Sequence, residues 1–494
     1  MMLAALAQVT ADMARQLADA EGVCIRPQLR RVTDQETGTV ARVALACGST
    51  REAVCKACAG KARRLRMQQC AEGWHRTDEP EVDDNADPSV DDDQGDLEGV
   101  DSHARRVRST RRREDVPDLP AVQMSDRTVG VVFTSPNGAQ FRPSMFLTLT
   151  LPSYGRIMDG APVDPASYDY RRAALDAILF PRLVDQFWKT LRRCAGFHVQ
   201  YFSAVEPQRR LAPHLLAAMR GVVPRRVLRQ VVAATYLQVW WPAFDTARYV
   251  DELPQWTGSE YADPNTGVLL PTWAEALDAL DDDSDARPAH VMRFGTQLDV
   301  QGIIRGHPDA DRAIRYLTKY ITKDVGSSRA EADADPRYAA HMDRLHDELR
   351  YLPCSERCAN WLRYGIQPKD ATAGLVPGAC SGKAHRWENL GLGGRRVLVS
   401  RKWSSKTLAR HRADRADVVR AALESSGIIA PETERMSAGV KTADGGARFV
   451  WERVERDDCI YAQVVMFAVA ERRRWRAEYD AARQLQLSHS AMPP

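Results

Sequence analysis

Residues 128–326 predict an α+β fold, with helices packed on an antiparallel sheet. Three observations carry it. The stretches "SMFLTLTLP" (144–152) and "FHVQYFSAVEP" (197–207) alternate and are rich in β-formers, as half-buried strands are. Between them, residues 168–194 place Leu175, Ile178, Leu179, Leu183 and Phe187 on one helical face. A third strand, "APHLLAAMRG" (212–221), follows after only a short basic turn, so consecutive strands are antiparallel.

Further along, "RRVLRQVVAATYLQVWWP" (225–242) reads as one helix. Residues 243–290 are acidic and punctuated by Pro and Gly, and are expected to be an insertion outside the catalytic core. "HVMRFGTQLDV" (290–300) reads as a strand, and residues 313–324, "AIRYLTKYITKD", as a helix. At 100° per residue, Tyr316, Lys319, Tyr320 and Lys323 fall within an arc of roughly 100°. Ile314, Leu317 and Ile321 fall on the neighbouring arc, facing the sheet.

The rest of the 494-residue chain divides by composition. Residues 1–76 are expected to form an N-terminal zinc-binding segment, and 77–127 a linker. Residues 327–408 form a second zinc-binding segment, and 409–494 a helical C-terminal region. Residues 78–101 carry twelve acids and no Lys or Arg; six arginines follow within 104–113. Outside the acid tract, 69 basic residues stand against 54 acidic ones, which points to an anionic partner. The arginine run reads equally as a nucleic-acid arm or as a solvated linker. The longest apolar run, "AQVVMFAVA" (462–470), is far short of the about 20 residues that span a membrane. "MMLAALAQVTADMARQ" lacks the basic segment of a secretory signal, so a cytoplasmic location and no membrane partner are expected.

In such a compartment, clustered cysteines point to metal before disulfides. Cys55-Lys-Ala-Cys58 lets two thiolates reach one tetrahedral zinc, and Cys24 and Cys47 complete four ligands. Cys70 and His75 lie behind them. A second set is Cys354, Cys358, Cys380 and His385, around a Gly/Pro-rich loop that suits a closed structural site. "GACSGKA" (378–384) is one residue short of a phosphate-binding loop and lacks its Ser or Thr after Lys383, so no motor is indicated.

Glu206 and His214, on neighbouring antiparallel strands, can approach one cation. Magnesium or manganese there polarises a phosphate, and a phenolate from the tyrosine helix can attack it. A nearby lysine holds the phosphate or lowers the phenol's pKa.

"FLTLTLPSYG" (146–155), "VEPQRRLAPHL" (205–215) and "YLTKYITK" (316–323) resemble, in order, the three motifs of rolling-circle replication initiators of actinobacterial plasmids and integrative elements, members of the HUH endonuclease superfamily. The resemblance runs from the N-terminal cysteines to about residue 408. It implies a divalent metal held by two histidines and a polar third ligand. It implies a tyrosine that nicks one DNA strand and stays on the 5′ phosphate. Tyr320 ranks ahead of Tyr316, and Lys323 ahead of Lys319. Arg209 and Arg210 become expected DNA contacts, and the partners become origin DNA, single-stranded at the nick, with a host helicase and polymerase. Paired tyrosines look like those of phage gene A proteins, which alternate.

The sequence departs from the pattern at one place. The His-hydrophobic-His word reads His214-Leu215-Leu216, and leucine offers no lone pair. His198 is roughly 26 Å along the strand from Glu206, too far to substitute, and His290 is left as an open candidate. Three readings compete: a two-ligand site completed by water and DNA phosphate, a dead site in a DNA-binding protein, or a different ligand set. An origin-binding protein that does not cut is therefore the alternative function. A relaxase or transposase on the same chemistry is a third reading; a large relaxase is disfavoured because no separate transfer or helicase module is evident within the chain.

Overall fold

The computed structural model describes residues 10–79, 113–304, 307–319, 321–322, 335–425, 440–442, 444–454 and 458–490. The acid tract from residue 80 and the arginine run up to 112 lie outside the described residues, as do Tyr320 and Lys323. The chain divides into two compact units, one of residues 70–405 and one of residues 1–69 with 406–494.

The fold of the 70–405 unit is α+β. Its main elements are β1 (Pro143–Leu149), α1 (Tyr170–Cys194), β2 (Tyr201–Pro207), β3 (Pro213–Met219), α2 (Arg225–Ala234), β4 (Tyr236–Val239), β5 (His290–Arg293), β6 (Leu298–Ile304), α3 (Pro308–Lys319), α4 (Pro336–Tyr351) and β7 (Val397–Val399). Five strands form one antiparallel sheet in the order β6–β1–β3–β2–β7.

The sheet is covered on both faces. Met145, Leu147, Leu149, Val205, Leu215, Ala217 and Met219 pack into the main core with Leu179, Leu183, Phe187 and Trp188 of α1. The intervening residues, among them Phe146, Ala204, Leu216 and Ala218, alternate to the opposite face. There α3 lies against β6, β2 and β3, and Tyr316 meets Phe146 edge-to-face at 6.3 Å. Double coverage explains why all seven residues of β3 are buried. Helix α1 starts at Asp169, whose carboxylate accepts the Arg172 backbone N–H at 2.9 Å.

Three expected elements differ. Residues 225–242 are not one helix: α2 ends at Ala234, and Tyr236–Val239 turns into β4, paired with β5. The β-branched and aromatic run "TYLQVWW" wins over helical period there. Residues 290–300 are two strands in different sheets, interrupted where Gly295 donates its N–H to the Thr150 carbonyl at 2.7 Å. Helix α3 begins earlier than expected, at Pro308, and stops at Lys319; Ile321 and Thr322 lie in a bend.

Within 243–290, Phe244 and Trp273 belong to the main core, and both pack on Trp361, with ring centroids 5.8 and 4.9 Å away. The acidic insertion is therefore built into the fold.

In the other unit, Phe449–Arg453 pairs with Gln28–Asp34, which pairs with Val40–Leu45. Ala14 and Ala18 of the helix Ala11–Ala20 pack against Tyr461, Val465 and Val469 of the helix Asp458–Ser490. The expected C-terminal helices are present as Leu408–Ser425 and Asp458–Ser490. In the arginine-rich part, Arg473 ion-pairs with Glu21 at 2.6 Å. No helix among the described residues is long and apolar enough to cross a membrane.

Candidate functional site

Glu206 and His214 stand directly opposite each other in the β2–β3 register. Their side chains meet, His214 Nε2 to Glu206 Oε2 at 3.1 Å, and are only 10% and 13% exposed. In the neutral tautomer that turns its N–H at Nε2 to the carboxylate, Nδ1 carries a lone pair. Nδ1 is buried and has no hydrogen-bond partner among the described residues. A buried imidazole nitrogen without a partner is costly unless something it can bind takes the place.

Two residues along the same face is Leu216, paired across to Ala204 and Thr148 and 1% exposed. It is packed apolar surface where a second histidine would stand. His290 does not supply the missing ligand. Its Nε2 meets Asp176 Oδ1 at 2.7 Å, and Tyr154 donates its hydroxyl to the other carboxylate oxygen at 2.8 Å. Asp176 belongs to α1, so His290 is committed to the helix layer. His198 lies before β2 and approaches Asp126 at 3.6 Å.

Helix α3 crosses the face that carries Glu206, His214 and Leu216. It starts after β6 has ended opposite Pro143, and its twelve residues rise about 18 Å, comparable to the length of β1. Its C-terminus therefore heads toward the sheet end that holds Leu149, His214 and Glu206. Ile314 and Leu317 are buried beneath it, while Tyr316 and Lys319 lie on the exposed side.

The basic turn between β2 and β3 is less available than its sequence suggests. Arg210 donates to the carbonyls of Leu151 at 2.7 Å and Pro152 at 2.8 Å, and to Gln208. Its guanidinium ties the β2–β3 turn to the end of β1. Arg209 is exposed, and its guanidinium sits 5.4 Å from the Tyr338 ring.

Two further groups have the donors of tetrahedral metal sites. In each, one ligand atom per residue lies within 4.8 Å of the others. The first joins Cys24, Cys47, Cys55 and Cys58. Backbone N–H groups of Arg26 and Cys47 donate to Cys24 Sγ at 3.4 and 3.2 Å, which stabilises a thiolate. Cys70, in the 70–405 unit, is buried, and burial pushes its thiol up. His75 stacks on Trp74 instead of joining the ligands.

The second joins Cys354, Cys358, Cys380 and His385. His385 Nδ1 donates to the Leu349 carbonyl at 2.8 Å, which turns Nε2 toward Cys358 Sγ at 3.5 Å. That outer hydrogen bond selects the tautomer a metal needs. Gly382 is wedged against the group: a Cβ there would stand 3.0 Å from Cys354 Sγ. Both sets can hold a structural ion such as zinc. Each has four protein ligands, which suits a closed site.

The chain thus combines an α+β unit, in which a tyrosine-bearing helix crosses the face of a Glu–His pair, with two cysteine-rich groups that could hold metal. The model of the RepSA family, replication initiator protein of pSAM2, matches residues 10–453. The chain belongs to this replication-initiator family. No curated protein and no solved structure matches the chain.

Proposed function

We propose that this replication initiator opens its origin by nicking one DNA strand through a 5′-phosphotyrosyl intermediate. The observation that carries the reading is the Glu206–His214 pair, with its orphaned Nδ1, on the sheet face crossed by the tyrosine helix. A magnesium or manganese ion bound there supplies charge to stabilise the phosphate oxygens. Glu206 and His214 would hold it, the ion taking the place of their direct Nε2–Oε2 contact, and water and DNA phosphate would supply further oxygen ligands.

Tyr320 loses its phenolic proton and its oxygen attacks the phosphorus. The bond from phosphorus to the 3′ oxygen breaks, and that oxygen leaves as a 3′ hydroxyl after taking a proton. The 3′ end then primes a host polymerase behind a host helicase. Attack by a 3′ hydroxyl on the phosphotyrosine reverses the step without ATP. Tyr316, four residues before Tyr320 in sequence, serves a second transfer. Lys323 and Lys319 steady the phosphate, and Arg209 contacts the backbone. Zinc fills both cysteine groups.

A second reading has its own observation. Leu216 is wholly buried where the family-like pattern has a histidine, which suits an origin-binding protein that does not cut. The test uses purified protein, a supercoiled plasmid carrying the element's origin, and manganese. It reads nicked product and DNA that stays on protein in detergent, with Tyr320→Phe and Leu216→His alongside. Adduct from the native chain, lost in Tyr320→Phe, supports nicking. Adduct from Leu216→His alone means that this copy binds without cutting. No adduct from either sinks the nicking proposal.

A further inference from the structure

At the sheet end opposite Glu206 and His214 lies a second, basic pocket of about 360 Å³. The two ends are separated by the length of β1, about 20 Å. Its walls include Trp74, Phe141, Arg76, Arg142 and Arg220, with Gly130 and Gly221 side by side. A Cβ on Gly130 would come within 2.7 Å of Gly221 Cα, so the two backbones touch there. The volume lies in the range of small-ligand sites, about 300–1,000 Å³.

Arg220 is the unusual member. It is 2% exposed. One nitrogen, Nη2, donates to the carbonyls of Lys402 and Trp403, both at 2.7 Å. Nε and Nη1 are buried and have no partner among the described residues. A clamp on two carbonyls needs one nitrogen; it does not account for two idle charged donors. The indole N–H of Trp74, in the same pocket, is also buried and has no partner among the described residues.

The charged side chains described in the pocket wall are cationic. Arg142 donates to the Thr77 carbonyl. Arg76 donates to the carbonyls of Ser404 at 3.1 Å and Asp78 at 3.2 Å. All of these acceptors are neutral main-chain oxygens. Burial, and then the charge of Arg76, pull the Arg220 guanidinium down to about 10. The carboxylate that acts on Arg220, Glu79, is engaged by the backbone N–H groups of Thr128 and Val129 and by the Thr128 hydroxyl. Three guanidinium groups converge on a pocket with no acidic residue among the described residues of its wall.

We propose that this pocket binds a nucleotide through its phosphate. Arg220, Arg142 and Arg76 take the phosphate oxygens by charge-assisted hydrogen bonds. The Trp74 N–H adds a neutral donor, and the Phe141 ring offers a flat wall for the base. The nucleotide is either free or one unit of a single strand. The proposal does not rest on the nicking reading, because none of the nicking residues lines the pocket.

The test measures binding to the full chain by calorimetry and anisotropy. The probes are thymidine 5′-monophosphate, inorganic phosphate and a short labelled oligothymidylate. The variants are Arg220→Met and the double change Arg76→Gln with Arg142→Gln. The native chain is expected to bind the nucleotide, and each variant to weaken it by about tenfold or more. The salt slope for the oligothymidylate should fall by about 0.7 for each phosphate that a variant no longer neutralises. The double variant changes half-exposed side chains, so it carries the test if Arg220→Met fails to fold. An oligothymidylate that binds more tightly than the mononucleotide assigns the pocket to a strand; equal affinity assigns it to free nucleotide. Unchanged binding in the double variant, or none by the native chain, overturns the proposal. Inorganic phosphate binding as well as the nucleotide overturns the base-binding wall.

Discussion

Replacing Leu216 by histidine tests whether the Glu206–His214 face is a metal site. The side chain is 1% exposed, between Ala204 and Thr148 in the sheet register. Without metal, Leu216→His loses the transfer energy of a buried leucine, about 1.5–3 kcal/mol. It also buries an imidazole with no evident partner, at about 1–3 kcal/mol. Similar volumes keep the cavity term small, so a net loss of about 3 kcal/mol is expected. At roughly 2 °C per kcal/mol for a unit of this size, the transition should fall by about 6 °C. Residues 214 and 216 share a face, so the new imidazole stands beside His214 and Glu206. Manganese at a hundred times its dissociation constant then restores about 2.7 kcal/mol, or about 5 °C. The assay is thermal unfolding of the full chain with and without manganese, against the native chain and Leu216→Met. A variant as stable as native without metal, or one that gains nothing from manganese beyond the native response, refutes the reasoning.

Three further outcomes follow from the structure. Elemental analysis of the purified chain should find two zinc ions; Cys358→Ala and Cys55→Ala should each lose one, and two ions retained in either would break the ligand assignment. His341 is buried, and burial holds its imidazole down at about 4, with the Arg210 carbonyl offsetting part of the effect. The unfolded chain takes up that proton below about 6.5 while the folded chain does not, so stability falls as pH drops from 6.5 toward 4. Denaturant titrations should show about 2 kcal/mol of this loss by pH 5, absent in His341→Gln; parallel curves for the two chains would contradict it. Tyr154→Phe strips the donor from one oxygen of Asp176, which is 1% exposed; a cost of about 1–3 kcal/mol is expected in the same titration, with no change in zinc content.

Much of the sheet was legible because its signals are local. Alternation over 143–149 and 201–207, and the short basic turn before 213, are enough to place three antiparallel strands. Both cysteine groups were legible for a related reason: each holds a close ligand pair, Cys55 with Cys58 and Cys354 with Cys358, and the distant ligands are other cysteines or a histidine. Residues 225–242 were not, because an apolar run with mixed period fits helix and strand until β5 arrives to pair with β4. Arg210 looked like a surface cation because only the folded chain brings Leu151 and Pro152 to its guanidinium. Arg220 gave no signal in "AAMRG". Its meaning comes from being buried with two donors idle, a property of packing.

Leu216 joins the two levels of reading. From sequence alone, its position is a missing ligand, and a missing ligand leaves a gap that water or a remote histidine can fill. The fold removes both escapes. Leu216 is buried apolar surface, and His290 is spent on Asp176. Any metal on this face must therefore be held by Glu206, by His214 and by what the DNA and solvent bring from outside the sheet. Such a site gains most of its affinity only when DNA is present, so metal binding and DNA binding would be coupled. A histidine at 216 would uncouple them, letting metal bind before DNA. The thermal shift of Leu216→His in the absence of DNA therefore measures what the native leucine withholds.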